Sequence, residues 1–289
     1  MLPPQRNRMI TGHTKVFALV GHPIQHSLSP AMHNELFRRQ GIDAVYVALD
    51  TEPKRADQVG QAIRALGLSG CNLTVPFKER VLDALDALSP AAEAAGAVNV
   101  IVNESGRLVG HNTDGEGYLR ALREELGIDP RGAHCAVLGA GGTGRAVAAA
   151  LAGAGASRIT LFNRTAVRAE IAVTRLAGRF PQVTVLAASL NRAAFSAQQF
   201  TVVVNCLSGP GAPAAGQLDV QHLAAGGVWT DANYWMADPP QLAACAARGL
   251  RIQRGIGMLM HQGALSFGLF TGIAVDADTI RGVLDIGGW

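Results

Sequence analysis

Short apolar runs alternate along the chain with longer stretches in which apolar residues recur every three or four positions. In the first half, the helical spacing occurs in SPAMHNELFRRQG, in RADQVGQAIRALG and, directly after Lys78, in ERVLDALDAL. Pro30 near its start and Gly41 after its end delimit the first of these helices. The short apolar runs predict strands, and they read KVFALVG, AVYVALD, GCNLTVPF, GAVNVIV and RLVGHNTD. This alternation indicates an α/β fold with a mainly parallel sheet.

A second series of the same kind begins near residue 133. Most of its strands are followed by Ala-rich helices, and the strands read HCAVLG, RITLFN, VTVLAA, TVVVNC, GVWTDANY and LRIQRG. The apolar helical segment MLMHQGALSFGLFTG near the C-terminus is expected to fold back onto the first series. We therefore predict two domains, residues 1–115 plus about 258–289 and residues 116–257, joined in the helix GYLRALREELG. The polar N-terminal segment is expected to be a frayed extension.

Composition narrows the class of protein. The 289 residues carry a net charge of +3 without a long basic run, which argues against a nucleic-acid partner and suits a small anionic ligand. No apolar stretch is long enough to span a membrane. The four cysteines form no C-x-x-C pair, so we expect neither a disulfide framework nor a zinc site. We expect a cytoplasmic protein, either a monomer or a homodimer.

The segment HCAVLGAGGTGRAVAAAL places a glycine-rich turn between a strand and a helix. The spacing G-x-G-x-x-G falls on Gly139, Gly141 and Gly144. Glycines allow a tight turn and a close approach of the backbone to a pyrophosphate, whose charge is favoured at the start of a helix. This position between strand and helix predicts a dinucleotide site.

The end of the following strand distinguishes the two nicotinamide cofactors. An acidic residue about 20 positions after the glycines would bind a free ribose 2′-hydroxyl, and this chain has none there. It has FNRTAVR instead, in which Arg164 and Arg168, with Asn163 and Thr165, provide donors for a 2′-phosphate. We therefore expect NADP rather than NAD. The alternative for Arg164 is that it only caps or solvates the start of a helix.

The segment GHPIQHSLSPAMHN brings two serines and three histidines together in sequence. A metal site is excluded on geometry, because Pro23 and the loop character prevent the helical pairing of histidines and no carboxylate lies nearby in the sequence. If the chain is extended here, Ser27 and Ser29 point to one side and can bind the oxygens of a polar ligand. For Ser29 alone, a helix N-cap is the alternative.

Lys78 and Asp114 follow two predicted strands. Lys78 in CNLTVPFKER could be an ordinary solvated lysine in the first turn of the predicted helix, and Asp114 in VGHNTDGEGY could be a helix N-cap. A lysine and an aspartate at the ends of neighbouring strands could equally form a proton-handling pair, with Asn99 of GAVNV nearby.

In combination, these motifs resemble the shikimate dehydrogenase family of NADP-linked enzymes. The resemblance runs from Val16 to about Gly272 and includes GHPIQHSLSPAMHN, GCNLTVPFKE, GAVN, GHNTDGEG, GAGGTGRA, NRT and GMLMHQGALSF. It implies Lys78 and Asp114 as the catalytic pair. It also implies that the substrate is held by Ser27, Ser29, Asn72, Thr74, Asn99, Asp114 and Gln262, with Tyr234 closing over the site. By the same resemblance, the cofactor would contact Gly139, Ala140, Gly141, Gly142, Thr143, Asn163, Arg164, Thr165, Arg168 and Gly255.

The resemblance implies a cyclohexene or cyclohexane carboxylate substrate. The chain departs from the family motifs in three places. It has NCLSGPGAPAAG where the family has Asn-Ala-Thr with a following Gly-Met, and DANYWMADPPQL where the family has Asp-x-x-Tyr-x-Pro. After GAVN, it has Val100 where the family usually has Thr. We expect these changes near the nicotinamide or the domain cleft. The leading expectation is the interconversion of shikimate and 3-dehydroshikimate. The alternatives are a paralogue acting on quinate or aminoshikimate, a non-catalytic NADP sensor and, more remotely, a methylenetetrahydrofolate dehydrogenase.

Overall fold

The computed structural model describes residues 9–235 and 239–286, and in these the strands form two six-stranded sheets. The predicted extension at residues 1–8, the segment 236–238 and residues 287–289 lie outside the described residues. The first sheet consists of β1 (Lys15–Gly21), β2 (Ala44–Asp50), β3 (Gly70–Leu73), β4 (Ala87–Leu88), β5 (Val100–Glu104) and β6 (Arg107–His111). The second consists of β7 (His134–Leu138), β8 (Arg158–Asn163), β9 (Thr184–Ser189), β10 (Phe200–Asn205), β11 (Leu223–Asp231) and β12 (Arg251–Gln253).

The first sheet has the strand order β2-β1-β3-β5-β6-β4. β1 pairs in parallel with β2 and β3, whereas β5 runs antiparallel to both β3 and β6. β5 and β6 form a hairpin whose turn uses positive φ angles at Ser105 and Gly106. The predicted mainly parallel sheet is confirmed, with β5 as the strand that runs antiparallel to its neighbours in the described residues.

The second sheet is parallel throughout, in the order β12-β11-β10-β7-β8-β9. β7 lies in the middle, where the chain first extends to one side with β8 and β9 and then to the other with β10. In open sheets of this kind, ligands bind beyond the carboxyl ends of the strands at this reversal. The glycine-rich turn directly follows β7.

Ten helices accompany the sheets in the described residues. They are α1 (Ser29–Arg39), α2 (Val59–Ala65), α3 (Pro90–Ala95), α4 (Asp114–Arg120), α5 (Gly142–Gly153), α6 (Ala166–Arg179), α7 (Arg192–Ser196), α8 (Pro240–Ala247), α9 (Ile256–Thr271) and α10 (Ala277–Ile286). None of the helices in this part of the chain is long and apolar enough to cross a membrane.

The prediction of a helix directly after Lys78 is wrong. That segment forms turns, a short 3₁₀ helix at Leu82–Ala84 and the strand β4. The carboxylate of Asp86 accepts a hydrogen bond from the backbone N–H of Leu108 at 2.6 Å and pairs with Arg64 at 2.7 Å, which fixes this segment along the sheet edge. The leucines of the segment pack on the core of the first sheet, so tertiary contacts override the helical spacing.

The C-terminal helices return to the first sheet. Leu259, Met260 and Phe267 of α9 share a buried cluster with Phe17 and Leu19 of β1. α4, continued by a π-helical turn at Ala121–Glu125, connects the two sheets. A Cβ on Gly115 would lie 2.4 Å from the carbonyl oxygen of Ala146 in α5, so α4 can pack this closely only without a side chain there. As a result, α9 and the second sheet border the same cleft.

Candidate active site

A cleft opens between the carboxyl ends of the strands of the two sheets and encloses about 850 Å³ including its mouth. β1 and β3 border it on one side, and the turns after β7, β10 and β11 border it on the other. The structure brings most of the predicted site residues together here. They are Ser27, Ser29, Asn72, Thr74, Lys78, Asn99, Asp114, Thr143, Tyr234, Gly255 and Gln262.

Lys78 and Asp114 form an ion pair in this cleft. Lys78 Nζ donates to Asp114 Oδ2 at 2.5 Å and to Thr143 Oγ1 at 3.0 Å. The side chains are 13% and 5% exposed, so the reading of Lys78 as a solvated lysine is wrong. The N-cap reading of Asp114 is also wrong, because Thr113 is the N-cap of α4 and Asp114 is its first residue. The pair is held mostly out of water and aimed into the cleft.

Asn99, just before β5, fixes the other carboxylate oxygen. Its Nδ2 donates to Asp114 Oδ1 at 2.9 Å and to Thr113 Oγ1 at 2.8 Å, and its Oδ1 accepts from the backbone N–H of Thr113 at 2.8 Å. Gln262 from α9 reaches the same amide, with its Oε1 3.4 Å away. The carboxylate is therefore oriented by the first sheet, and only its Oδ2 faces Lys78.

Asn72 in β3 lies in a second buried network. Its Oδ1 accepts from the Tyr46 hydroxyl at 2.8 Å, and its Nδ2 donates to Ser266 Oγ and to the carbonyl of Asn99, both at 3.2 Å. The sequence reasoning missed Thr113, Tyr46 and Ser266. Ser266 stands four residues after Gln262, one helical turn along the same face of α9, and that spacing could have identified it.

The serine segment meets a tyrosine from the second sheet. Ser27 Oγ accepts from the N–H of Ser29 at 3.2 Å, and the Tyr234 hydroxyl accepts from the N–H of Leu28 at 3.4 Å. Ser29 is the first residue of α1, and Leu28, the N-cap, makes no side-chain hydrogen bond there, so the N-cap reading of Ser29 is wrong. Burial raises the pKa of the Tyr234 phenol, which keeps it neutral and able to donate.

The three histidines of this segment have separate partners. His22 Nδ1 lies 2.7 Å from Asp50 Oδ1, His26 stacks on Trp235 with 4.4 Å between ring centroids, and His33 stacks on Tyr46 at 4.6 Å. Across residues 9–235 and 239–286, no group of three or more His, Cys, Asp or Glu side chains could hold a metal ion.

The glycine-rich turn requires glycine at Gly139 and Gly144. Gly139 has a φ of +105°, and a Cβ on Gly144 would lie 1.9 Å from the carbonyl oxygen of Gly139. Gly141 is the N-cap of the twelve-residue helix α5, and the structure gives it no side-chain cap. The backbone N–H groups at the start of α5 have no partner within the helix. Together with the tight turn, they fit the pyrophosphate of a dinucleotide.

The predicted 2′-phosphate residues follow β8. Asn163 Oδ1 accepts from the N–H of Ala140 at 3.2 Å, and its Nδ2 donates to the carbonyl of Thr165 at 2.8 Å, so Asn163 ties this turn to the glycine-rich turn. Arg164 is exposed and makes no hydrogen bond or ion pair with any described residue. Arg168 instead pairs with Glu79, at 2.8 Å.

The departures from the family motifs fall in two places. Cys206, Ser208 and Trp235 line the cleft, whereas Val100 is buried within β5 and does not. Both altered loops therefore line the cleft, whereas Val100 lies beside it, next to Asn99 and paired with Asn72 of β3, without lining it. Burial raises the pKa of the Cys206 thiol, so it meets the cleft as a neutral group.

Together, the two sheets, the glycine-rich turn and the lysine–aspartate pair define a dinucleotide-binding α/β protein with a polar substrate cleft. Family models match most of the chain: a shikimate dehydrogenase substrate binding domain at residues 19–101, a shikimate/quinate 5-dehydrogenase domain at 122–225 and a shikimate 5′-dehydrogenase C-terminal domain at 255–284. The chain belongs to the shikimate dehydrogenase family.

Individual relatives cover nearly the whole chain. An NADP(+) shikimate dehydrogenase from Geobacillus sp. (strain WCH70) is 37% identical over 272 residues, which are 93% of this chain and 97% of that protein. The solved structure of shikimate 5-dehydrogenase from Listeria monocytogenes with shikimate and NAD has a TM-score of 0.84 at 33% identity, covering 96% of this chain and 99% of that one. The shikimate 5-dehydrogenase from Thermus thermophilus, solved with NADP(H) and shikimate, has a TM-score of 0.78 at 34% identity, covering 93% and 98%.

Proposed function

We propose that this protein is an NADP-dependent shikimate dehydrogenase that interconverts shikimate and 3-dehydroshikimate. The observation that carries the proposal is the buried Lys78–Asp114 ion pair at the junction of the polar cleft and the glycine-rich turn. The full-length relatives with this name and the similar structures that contain shikimate support it.

A bound nicotinamide cofactor would supply the hydride chemistry: NADPH would donate a hydride in ketone reduction, and NADP⁺ would accept one in alcohol oxidation. The Lys78 ammonium faces the cleft and donates its proton to the ketone oxygen as that oxygen becomes an alkoxide. In the opposite direction, the Lys78 amine takes the hydroxyl proton. Asp114 Oδ2 and Thr143 Oγ1 hold Nζ from two sides, so the proton-bearing nitrogen has a fixed position before the substrate arrives.

Polar side chains hold the substrate. Ser27, Ser29 and Tyr234 lie together at one end of the cleft, and their hydroxyls suit a ring carboxylate. Ring hydroxyls are bound by the polar side chains that surround the ion pair, namely Asn72, Thr74, Asn99, Asp114 and Gln262. The substrate class that matches these two groups is a cyclohexene or cyclohexane carboxylate.

The residues that would hold the cofactor lie on the second-sheet side of the cleft. The backbone from Gly139 through Ala140, Gly141 and Gly142 to Thr143 receives the pyrophosphate, and Arg164 and Arg168, with Asn163 and Thr165, receive the 2′-phosphate. Gly255 borders the nicotinamide end, and a Cβ there would lie 2.5 Å from the carbonyl oxygen of Ala232. Residues 116–257 then serve as the dinucleotide-binding domain, and residues 1–115 with about 258–289 as the substrate-binding domain.

The cellular compartment and the partners of the protein can be proposed from its cysteines and from the cleft. Its four cysteines are unpaired, three of them buried, which suits a reducing cytoplasm. The cleft is formed within one chain, so a monomer has a complete site, and a homodimer is compatible with it. Neither nucleic acid nor a membrane is needed as a partner.

A second candidate is a family paralogue that oxidises quinate or an aminoshikimate. Cys206, Ser208 and Trp235 favour it, because they change the cleft lining relative to the usual family residues. The family model that matches residues 122–225 also names both shikimate and quinate. A non-catalytic NADP sensor is disfavoured by the complete set of Lys78, Asp114 and Gln262 in one cleft.

The test is NADP reduction with shikimate, quinate and aminoshikimate assayed side by side with the purified protein. We expect the highest kcat/KM with shikimate. Lys78→Met should lower kcat by about 10²- to 10⁴-fold, the range expected for loss of a proton-transfer group. The matched control is Lys54→Met, because Lys54 is a surface lysine with 74% of its side chain exposed. Absence of any shikimate-dependent NADPH would exclude the proposed function, and turnover with quinate alone would select the second candidate.

A further inference from the structure

Glu79, directly after Lys78, carries an ion-pair triad that joins the two sheets. Its Oε1 and Oε2 lie 2.8 Å and 3.1 Å from Arg168 Nη2 on α6, and its Oε2 lies 3.2 Å from Arg145 Nη2 on α5. A carboxylate beside the first sheet is thus held by two guanidinium groups from the helices of the second.

The two arginines differ in how firmly they are fixed. Arg145 is 11% exposed and its Nε also donates to the carbonyl of Ala140 at 3.0 Å, so its guanidinium is anchored in the protein. Arg168 is 50% exposed, and Glu79 is the partner that the structure gives its side chain. Arg168 can therefore change partners, whereas Arg145 keeps Glu79 in place.

The triad lies where the phosphates of a dinucleotide would bind. A Cβ on Gly141 would be 3.8 Å from Glu79 Oε1, so the carboxylate stands beside the glycine-rich turn. Arg168 belongs to the segment proposed to bind the 2′-phosphate. A carboxylate and a phosphate are alternative acceptors for the same guanidinium.

We infer that Glu79 is a specificity-determining residue that competes with the cofactor 2′-phosphate for Arg168. Without that phosphate, Glu79 holds Arg168. With NADP, Arg168 turns to the phosphate while Arg145 retains Glu79; with NAD, the Glu79–Arg168 pair stays intact. The pair therefore weakens NADP binding relative to NAD binding, and Glu79 limits the preference for NADP. This inference rests on the proposed use of NADP.

The test measures Kd for NADP and for NAD by titration calorimetry on the wild type, Glu79→Gln, Arg168→Gln and the double variant. In Glu79→Gln, the ratio of the NAD Kd to the NADP Kd should rise about two- to fivefold, the range of a partly exposed ion pair. In the Arg168→Gln background, adding Glu79→Gln should leave that ratio unchanged, because no guanidinium remains to be released. Glu79→Ala provides a second variant that lacks the carboxylate, and circular dichroism verifies the fold of each.

Two results would overturn the inference. One is an equal change in NADP and NAD affinity in Glu79→Gln, which a purely structural link between the sheets would produce. The other is an Arg168→Gln variant whose NADP affinity equals that of the wild type, because Arg168 would then not bind the 2′-phosphate. If the wild type binds NADP as expected but does not oxidise shikimate, the proposed function fails while the competition for Arg168 stands.

Discussion

Gly142 and Lys78 belong to opposite sides of the cleft, yet a Cβ on Gly142 would lie 2.8 Å from Lys78 Cβ and 3.2 Å from Lys78 Cδ. The first residue of α5 therefore packs directly on the stem of the lysine. The helix proposed to receive the cofactor pyrophosphate and the lysine proposed to handle the proton are therefore positioned by the same contact.

Gly142→Ala should lower kcat at least tenfold, because the added methyl must displace the Lys78 side chain from its position beside Asp114. Steady-state kinetics with shikimate and NADP measure the effect. Gly178→Ala on α6 is the matched control, since no atom other than those of its chain neighbours and of its own helix backbone lies within 4 Å of its Cβ position. The control should keep kcat and gain up to about 1 kcal/mol of unfolding free energy from better helix propensity. An unchanged kcat in Gly142→Ala would mean that this contact does not position Lys78.

Asp114→Asn should lower kcat/KM by about 10²-fold or more, because the Lys78 ammonium loses the charge that holds it in place. It should also lower the free energy of unfolding by about 3 kcal/mol, as one partner of a buried ion pair is then uncompensated. Kinetics and urea denaturation measure the two effects. Asp278→Asn is the control, because that side chain is 91% exposed.

The Lys78→Met/Asp114→Asn double variant separates the two effects of the pair. It should regain most of the lost stability, since no unpaired charge remains buried, without regaining activity. A double variant that is less stable than either single one would contradict this account of the pair.

Local sequence signals predicted much of the fold. β1, α1, β2 and the strand–glycine–helix unit at β7 and α5 follow from apolar spacing, and the turns at Gly41 and Gly139 follow from glycine. Such signals act within a few residues. They therefore identify a helix or strand but not the other elements on which it packs.

Long-range contacts were beyond that reasoning. Asn72 meets Ser266 and Leu28 meets Tyr234 across most of the chain, and nothing in either local segment specifies the other. The segment after Lys78 shows the opposite failure, because its helical spacing is real but Asp86 pairs with Arg64 and the backbone of Leu108 instead. Local patterns and family motifs identified the candidate residues, but only the fold shows their separate hydrogen-bond partners.

His33 should make the protein less stable in mild acid. Burial against Tyr46 and Phe267 lowers its pKa to about 3, and its Nδ1 has no hydrogen-bond partner in the described part of the chain. In the unfolded chain, a histidine takes up its proton near about pH 6.5. Between these two values the unfolded state binds more protons than the native state, so the free energy of unfolding falls as the pH falls.

From pH 7 to pH 5, this one group should remove about 2 kcal/mol from the free energy of unfolding. His33→Phe keeps an aromatic ring at the site and cannot be protonated. Between pH 7 and pH 5, the free energy of unfolding of this variant should therefore fall by about 2 kcal/mol less than that of the wild type. Urea denaturation at both pH values measures the difference. His13→Phe, at an exposed position, is the control and should keep the wild-type dependence. Equal pH dependence in His33→Phe and the wild type would show that His33 is not the group responsible.

Trp235 should affect substrate binding more than chemistry. It lines the cleft, is 39% exposed, and stacks on His26 with ring centroids 4.4 Å apart, so it joins the turn after β11 to the serine segment across the cleft mouth. Trp235→Ala should raise KM for shikimate about two- to tenfold, the range for loss of one aromatic pair, because the serine segment loses this support. kcat should stay within about twofold, since Lys78 and Asp114 are positioned by other residues. Trp235→Phe keeps a ring to stack on His26 and should stay near the wild-type KM. A loss confined to kcat, or an equal loss in the Phe and Ala variants, would contradict this role for the stacked pair.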